Sequence, residues 1–439
     1  VATTEEDHTG EAPAERQLLT VLAAVAVTAP ALAVRFSDPG LPQPVAALLY
    51  GLAIVGAAFL LSWAAEAAQL DISAGMAISV LAFITVLPEY AVDLVFAIRG
   101  GRGFARYGAA CAAPGSHDAS PCSLALANMT GANRLLIGIG WSLVVLIAYR
   151  GWRRQGVHRP GVVLERSHSV ELAFLALACA FSLLLPLART VNLVHAAVLI
   201  AIFGAYTIRI SRAPAQKPDL VGPARWVGSF PSGRRRATVA ALFVGAAGII
   251  VLCAEHFATA LVGSGRSLGV DEFLLVQWLA PLASEAPELL VAGLYAWRLN
   301  TNAGLGTLVS SKVNQWTLLV GTLPIAFALA SGTGHGLPIA AGQREELFLT
   351  AAQSVYAVVT LANLSISLRE AGTLFGLFWA QFLTGALVPE EWRGRELVAF
   401  GILYLGLAAV GIWRDRAGLP RLMVDGFRTS YADMAEDDR

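Results

Sequence analysis

Twelve apolar stretches, each about twenty residues long and so able to cross a bilayer as one helix, account for most of this 439-residue chain. They are read near 17–35, 43–66, 73–98, 122–149, 169–187 and 191–210, then near 237–262, 270–298, 304–330, 346–367, 371–388 and 396–413. Inside a membrane the backbone finds no water to bond, so runs of this kind fold as helices. Only 14% of the residues are charged and 56% are hydrophobic, whereas soluble domains carry about 25% charged residues. The expected class is an all-α polytopic membrane protein.

Formal net charge is zero, which removes the basic excess that nucleic-acid binding requires. The four cysteines, Cys111, Cys122, Cys179 and Cys253, show no CxxC spacing for zinc or redox chemistry. The first sixteen residues are polar and acidic, with no basic stretch ahead of the first apolar run, so that run is expected to be a retained helix and not a cleaved signal.

Arginine sets the orientation. The connection at 150–166 carries Arg150, Arg153, Arg154, Arg159 and Arg166, and the one at 209–236 carries Arg209, Arg212, Lys217, Arg225, Arg234, Arg235 and Arg236. The positive-inside rule places both in the cytoplasm, two helices apart, and both termini with them. The expected location is a bacterial inner (plasma) membrane. The connection at 99–121 then falls outside, against the rule, despite Arg99, Arg102 and Arg106. Cys111 and Cys122 border it on the oxidising side, as a bridge or as two thiols.

Two stretches carry acids where none belongs by default. The third contains Thr85-Val86-Leu87-Pro88-Glu89-Tyr90-Ala91-Val92-Asp93, and the eighth contains Ala283-Ser284-Glu285-Ala286-Pro287-Glu288-Leu289. An ionised carboxylate at membrane depth costs several kcal/mol unless something cationic or polar meets it, so such residues mark ion or proton paths. The prolines are expected to interrupt their helices and free carbonyl oxygens there. Helices three and eight lie five crossings apart, and an odd separation makes the two halves antiparallel. The expected architecture is two inverted five-helix repeats with an extra helix at each end, about twelve crossings in all, on which alternating access is built. The chain divides accordingly into a tail and helix (1–42), a first repeat (43–210), a basic linker (211–236), a second repeat (237–388), and a last helix with its tail (389–439). Leu126-Ala127-Asn128-Met129-Thr130-Gly131-Ala132-Asn133 is matched by Thr307-Leu308-Val309-Ser310-Ser311-Lys312-Val313-Asn314, and Glu66 by Glu255.

Together these segments resemble the GTSLPE-like and GNxxGSN-like motifs of the calcium/cation antiporter superfamily, the group that contains sodium/calcium exchangers. The likeness covers 43–150 and 237–330. Both first glycines of the GTSLPE pattern are replaced. The first GNxxGSN copy keeps Asn128, Gly131 and Asn133, and the second keeps Asn314 but has Val309, Lys312 and Val313. The resemblance implies the inverted-repeat fold, with Glu89 and Glu288 as the metal-binding pair, supported by Thr85, Ser284 and Asn128.

Calcium takes six to eight oxygens, and carboxylates, hydroxyls, amides and freed carbonyls are all on offer here. Asp93 lies four residues after Glu89, and Glu285 three before Glu288, so on helices each shares a face with its partner. Asp93 reads either as an ion ligand or as a vestibule residue at a helix end. Lys312 stands where the motif has glycine. It is expected to be charged beside Glu285 or Glu288, in the place of a bound cation, or else to snorkel to an interface. Arg134 poses the same choice. Gln277, Asn314 and Gln315 either bridge helices or ligate, with Asn314 first because Asn133 is its repeat partner. His195 reads as a structural histidine, and the tryptophans as interface belts or packing residues.

The function expected is secondary cation antiport of the sodium/calcium type, with inorganic cations and the lipid bilayer as partners and no cofactor. Calcium and sodium are the expected cargo. The alternative makes protons a coupling ion, through Lys312, Arg134 and the extra acids. An intramembrane hydrolase would need a cluster such as HExxH or GxSxG, and the sequence holds neither.

Overall fold

The computed structural model describes residues 14–37, 39–71, 87–113, 119–213, 220–269 and 272–437. Thr85, Lys217 and positions 73–86 of the third expected helix lie outside the described residues.

Each of the twelve stretches holds a helix where described, although 361–367, at the end of the tenth, form a turn and a short strand. The first half gives α1 (Ala14–Ser37), α2 (Gln43–Ala68), α3 (Leu87–Tyr107), α4 (Pro121–Leu135), α5 (Ser142–Arg154), α6 (Ser169–Ser182) and α7 (Leu193–Ile210). After a short α8 (Gly222–Gly228), the second half gives α9 (Ser232–Leu268), α10 (Glu272–Trp297), α11 (Thr301–Asn314), α12 (Val320–Ser331), α13 (Ala341–Thr360), α14 (Leu368–Leu387) and α15 (Glu390–Arg414). Eight spans among the described residues are long and apolar enough to cross a membrane; α4 with α5 count as one of them, as do α11 with α12. Leucines such as Leu187, Leu329 and Leu387 are about four-fifths exposed while charged residues are buried, the reverse of a soluble core and the arrangement that lipid requires.

Local sequence explains several helix starts. Asn192 caps α7: its side chain accepts from the backbone of Val194 and His195, and its own N–H donates to His195 Nδ1 at 3.1 Å. His195 is therefore structural, as expected. Ser367 and Glu370 form the reciprocal cap that begins α14.

The two halves interlock as inverted repeats. Helices α2 and α9 lie side by side, α3 packs on α12, which continues the motif helix α11 of the other half, and α10 packs on the motif helix α4. Small residues permit these crossings. A Cβ on Gly131 would lie 1.7 Å from the Gln277 carbonyl oxygen, and one on Gly101 would lie 2.5 Å from that of Phe327. Pro281 has no N–H to offer the Gln277 carbonyl four residues earlier, and that freed oxygen is the one set against Gly131.

Two short ribbons join the halves, at opposite ends of the molecule. Strand β1 (Gly161–Val163) pairs antiparallel with β4 (Ser365–Ser367), and β2 (Thr190–Val191) with β3 (Leu337–Pro338). β1 precedes α6 as β3 precedes α13, and β2 precedes α7 as β4 precedes α14, so the repeat symmetry exchanges one ribbon with the other.

One expectation fails. The prolines of the second copy do not interrupt their helix: α10 runs continuously from Glu272 to Trp297 through Pro281 and Pro287. The irregular backbone lies instead one helix later, as π-helical turns at Leu136–Trp141, three residues after Asn133, and at Gln315–Leu319, immediately after Asn314. Such turns add a residue to the helix and re-aim the side chains beside them.

The segment after Arg414 also folds. Helices α16 (Gly418–Phe427) and α17 (Tyr431–Asp437) close against α6 and its leading turn, where Asp425 accepts two hydrogen bonds from Arg166, both 2.9 Å.

Candidate functional site

The site is built where α3 and α10 meet the π turns. Glu89, in the first described turn of α3, is 3% exposed, and Glu285, on α10, is 1% exposed. A single amide nitrogen, Nε2 of Gln315, donates to both: to Glu89 Oε1 at 2.9 Å and to Glu285 Oε1. Gln315 opens the second π turn, which brings it out of α11 and between the two carboxylates. One turn along α10, Glu288 is close enough to Glu89 for their charges to interact.

The second oxygens of these acids have no partner. Glu89 Oε2, Glu285 Oε2, Glu288 Oε2 and Asp93 Oδ2 are buried without a hydrogen bond, and so are Asn128 Oδ1 and Gln315 Oε1. Native proteins leave few buried polar atoms unsatisfied, and each such atom calls for an explanation. These six are hard oxygen atoms, the donor type that divalent alkaline-earth ions select. Among the described residues, no three acids, histidines or cysteines approach closely enough to hold a metal by themselves. Neutral oxygens would have to complete any shell.

Asp93 is fully buried and accepts from Asn128 Nδ2 at 2.7 Å. The vestibule reading of Asp93 therefore does not describe it. Ser284 is 5% exposed and back-bonds to the carbonyls of Ala280 and Pro281 at 3.2 and 3.3 Å. Asn314 is buried on the last turn of α11.

The two intramembrane cations take different partners from those expected. Lys312 is 0% exposed and so does not snorkel. Its ammonium donates to Asn133, to the backbone carbonyl and to Oδ1 at 2.6 Å, and not to Glu285 or Glu288. It also stands 5.6 Å from the centre of the Trp316 ring. Arg134, 2% exposed, pairs with Glu346 at 2.8 Å, donates to Gln381 and stacks 5.0 Å over Trp278. Of the two roles expected for Trp278, it takes that of a packing residue, at a cation and against Phe378 and Phe382. Glu255 is an exposed partner of Arg99 at 3.3 Å, while Glu66 is half-buried beside Ser62, so the two members of this matched pair differ in exposure.

Sequence reasoning ranked Asn314 above Gln315 and gave Glu346 no role. The available signal was the residue after each motif asparagine: Arg134 follows Asn133 as Gln315 follows Asn314, polar in both copies.

Comparison with known proteins bears on this arrangement. The family model described as sodium/calcium exchanger protein matches residues 43–211 and 238–386. The crystal structure of the H+/Ca2+ exchanger CAX is 36% identical and covers 97% of this chain and 100% of its own, with a TM-score of 0.85. The crystal structure of the Ca2+/H+ antiporter protein YfkE is 13% identical, with a TM-score of 0.56, and covers 90% of this chain and 100% of its own. The latter likeness is one of fold. No curated protein matches the sequence.

Proposed function

The chain belongs to the sodium/calcium exchanger family, and from that premise we propose that it carries calcium, or a similar divalent cation, across the membrane in exchange for protons. The observation that carries this reading is the pair Glu89 and Glu285, held on one nitrogen of Gln315, each with its other oxygen buried and unpartnered. The amide NH2 lies between two carboxylates as a bound cation would, so leaving that position exposes a ready pair of anionic ligands. Glu288 joins them as a further acid of the second repeat, one turn along α10 from Glu285. Asp93, Asn128, Ser284, Asn314 and, on the stretch before α3, Thr85 supply further oxygens. Asn133 is the anchor of Lys312.

Protons suit this interior better than sodium as the coupling ion. Protons need only the buried carboxylates, whereas each sodium ion would need an oxygen shell of its own. The likeness to a protein named H+/Ca2+ exchanger supports the same choice. Twelve crossings with both termini cytoplasmic would place the Cys111–Cys122 bridge on the oxidising side of a bacterial inner membrane.

Calcium uptake into proteoliposomes tests the coupling. A pH gradient without sodium should drive it, and Glu288→Gln should reduce it at least tenfold. Uptake that responds to a sodium gradient and not to pH would replace protons with sodium.

A further inference from the structure

At the end of the molecule remote from the arginine-rich connection at 150–166, a cavity of about 600 Å³ opens between α3, α4, α9 and α12. Arg99, Arg102 and Arg106 line it from α3, spaced to share one helix face, and Arg266 lines it from α9. None of the lining residues among those described is acidic. Arg99 is engaged by Glu255, while Arg102 and Arg106 have no acidic partner among the described residues. Both helices end at this cavity, with Arg106 and Arg266 in their last turns. Each helix end offsets about half a charge, so Arg102 and Arg106, facing two helix ends with no acidic partner among the described residues, leave positive charge in excess.

Arginines that break the positive-inside rule thus converge on one walled space. The Cys111–Cys122 bridge closes one side and Phe96, Leu124 and Val262 supply apolar surface. A guanidinium fork matches phosphate oxygens two at a time, and the volume exceeds that of a bare anion and falls within the range of small-molecule sites. We propose that this cavity binds a phosphate group, either in the headgroup of an anionic lipid or as the free ion. The inference is independent of which cations the protein exchanges.

The test is a thermal-unfolding titration of the full-length protein in detergent, at constant ionic strength. Inorganic phosphate is added in one arm and phosphatidylglycerol in mixed micelles in the other, with phosphatidylcholine as the neutral lipid. Saturable stabilisation by phosphatidylglycerol alone identifies the lipid source, and stabilisation by phosphate identifies the free ion. Either must weaken tenfold or more in Arg102→Gln/Arg106→Gln, and in Arg266→Gln should the double variant not fold. No saturable effect in the wild type, equal effects of the two lipids, or unchanged affinity in folded variants would overturn the assignment.

Discussion

The Lys312 ammonium, carried by the second repeat, donates to the side-chain oxygen of Asn133 in the first repeat, 2.6 Å away. The residue aligned with Lys312 in the other copy is Gly131, which has no side chain and meets the Gln277 carbonyl instead. One pair of aligned positions therefore holds two unlike inter-repeat contacts, a charged hydrogen bond and a close backbone crossing.

Removing the charge at 312 tests the first contact. Lys312→Met keeps the length of the side chain and leaves Asn133 Oδ1 buried without its donor, at a cost of about 1–3 kcal/mol. Thermal unfolding in detergent should register the loss. Lys312→Gln, which can still donate to Asn133, should recover part of it while changing the pH profile of transport. An unaltered profile in a stable Lys312→Gln would remove the lysine from the coupling.

Gly131→Ala tests the second contact. A methyl group 1.7 Å from a backbone oxygen cannot be accommodated unless α4 and α10 separate, so the loss should reach or exceed about 3 kcal/mol. Gly372→Ala, on α14 with nothing within 4 Å of the added carbon, should be neutral or stabilising by up to about 1 kcal/mol. Similar unfolding temperatures for the two variants would contradict the crossing geometry.

Arg134 and Glu346 form a buried ion pair at 2.8 Å. Arg134→Met leaves an acid without its counter-charge and should cost about 3–5 kcal/mol, much of it regained in Arg134→Met/Glu346→Met. A double variant no more stable than the single one would show that the pair is not the relevant unit.

The link between α2 and α9 should be acid-sensitive. Asp71 accepts from Arg235 at 2.6 and 2.8 Å and from Arg236 at 3.0 Å, and the Arg235 hydrogen bonds hold its carboxyl down at about 2. A depressed folded-state value gives stability that is present above the unfolded value near 3.9 and lost as pH falls towards 2. The unfolding temperature of the wild type should fall across that window more steeply than that of Asp71→Asn, which should be less stable at neutral pH by about 1 kcal/mol. Parallel pH curves would mean that the link contributes nothing.

The helices were legible because apolar runs of membrane length admit one secondary structure, and the inverted pairing because the Pro-Glu segments recur after an odd number of crossings. The acids were legible as misplaced charge. Gln315 was legible as an amide that bridges helices or ligates, but its two partners were not, because its reach to Glu89 depends on a π turn, and an inserted residue leaves no mark on composition or period. The partner of Arg134 was hidden for a similar reason: Glu346 sits in α13, outside any repeated motif, 212 positions away. The ribbons escaped notice because two- and three-residue strands carry no pattern.

Proton release on calcium binding reads the carboxylate cluster without the complications of flux. Purified protein titrated with calcium in buffers of different ionisation heats should liberate protons, and both calcium affinity and proton count should fall in Glu89→Gln. Calcium binding with no proton release, or a Glu89→Gln protein that binds as the wild type does, would contradict the account.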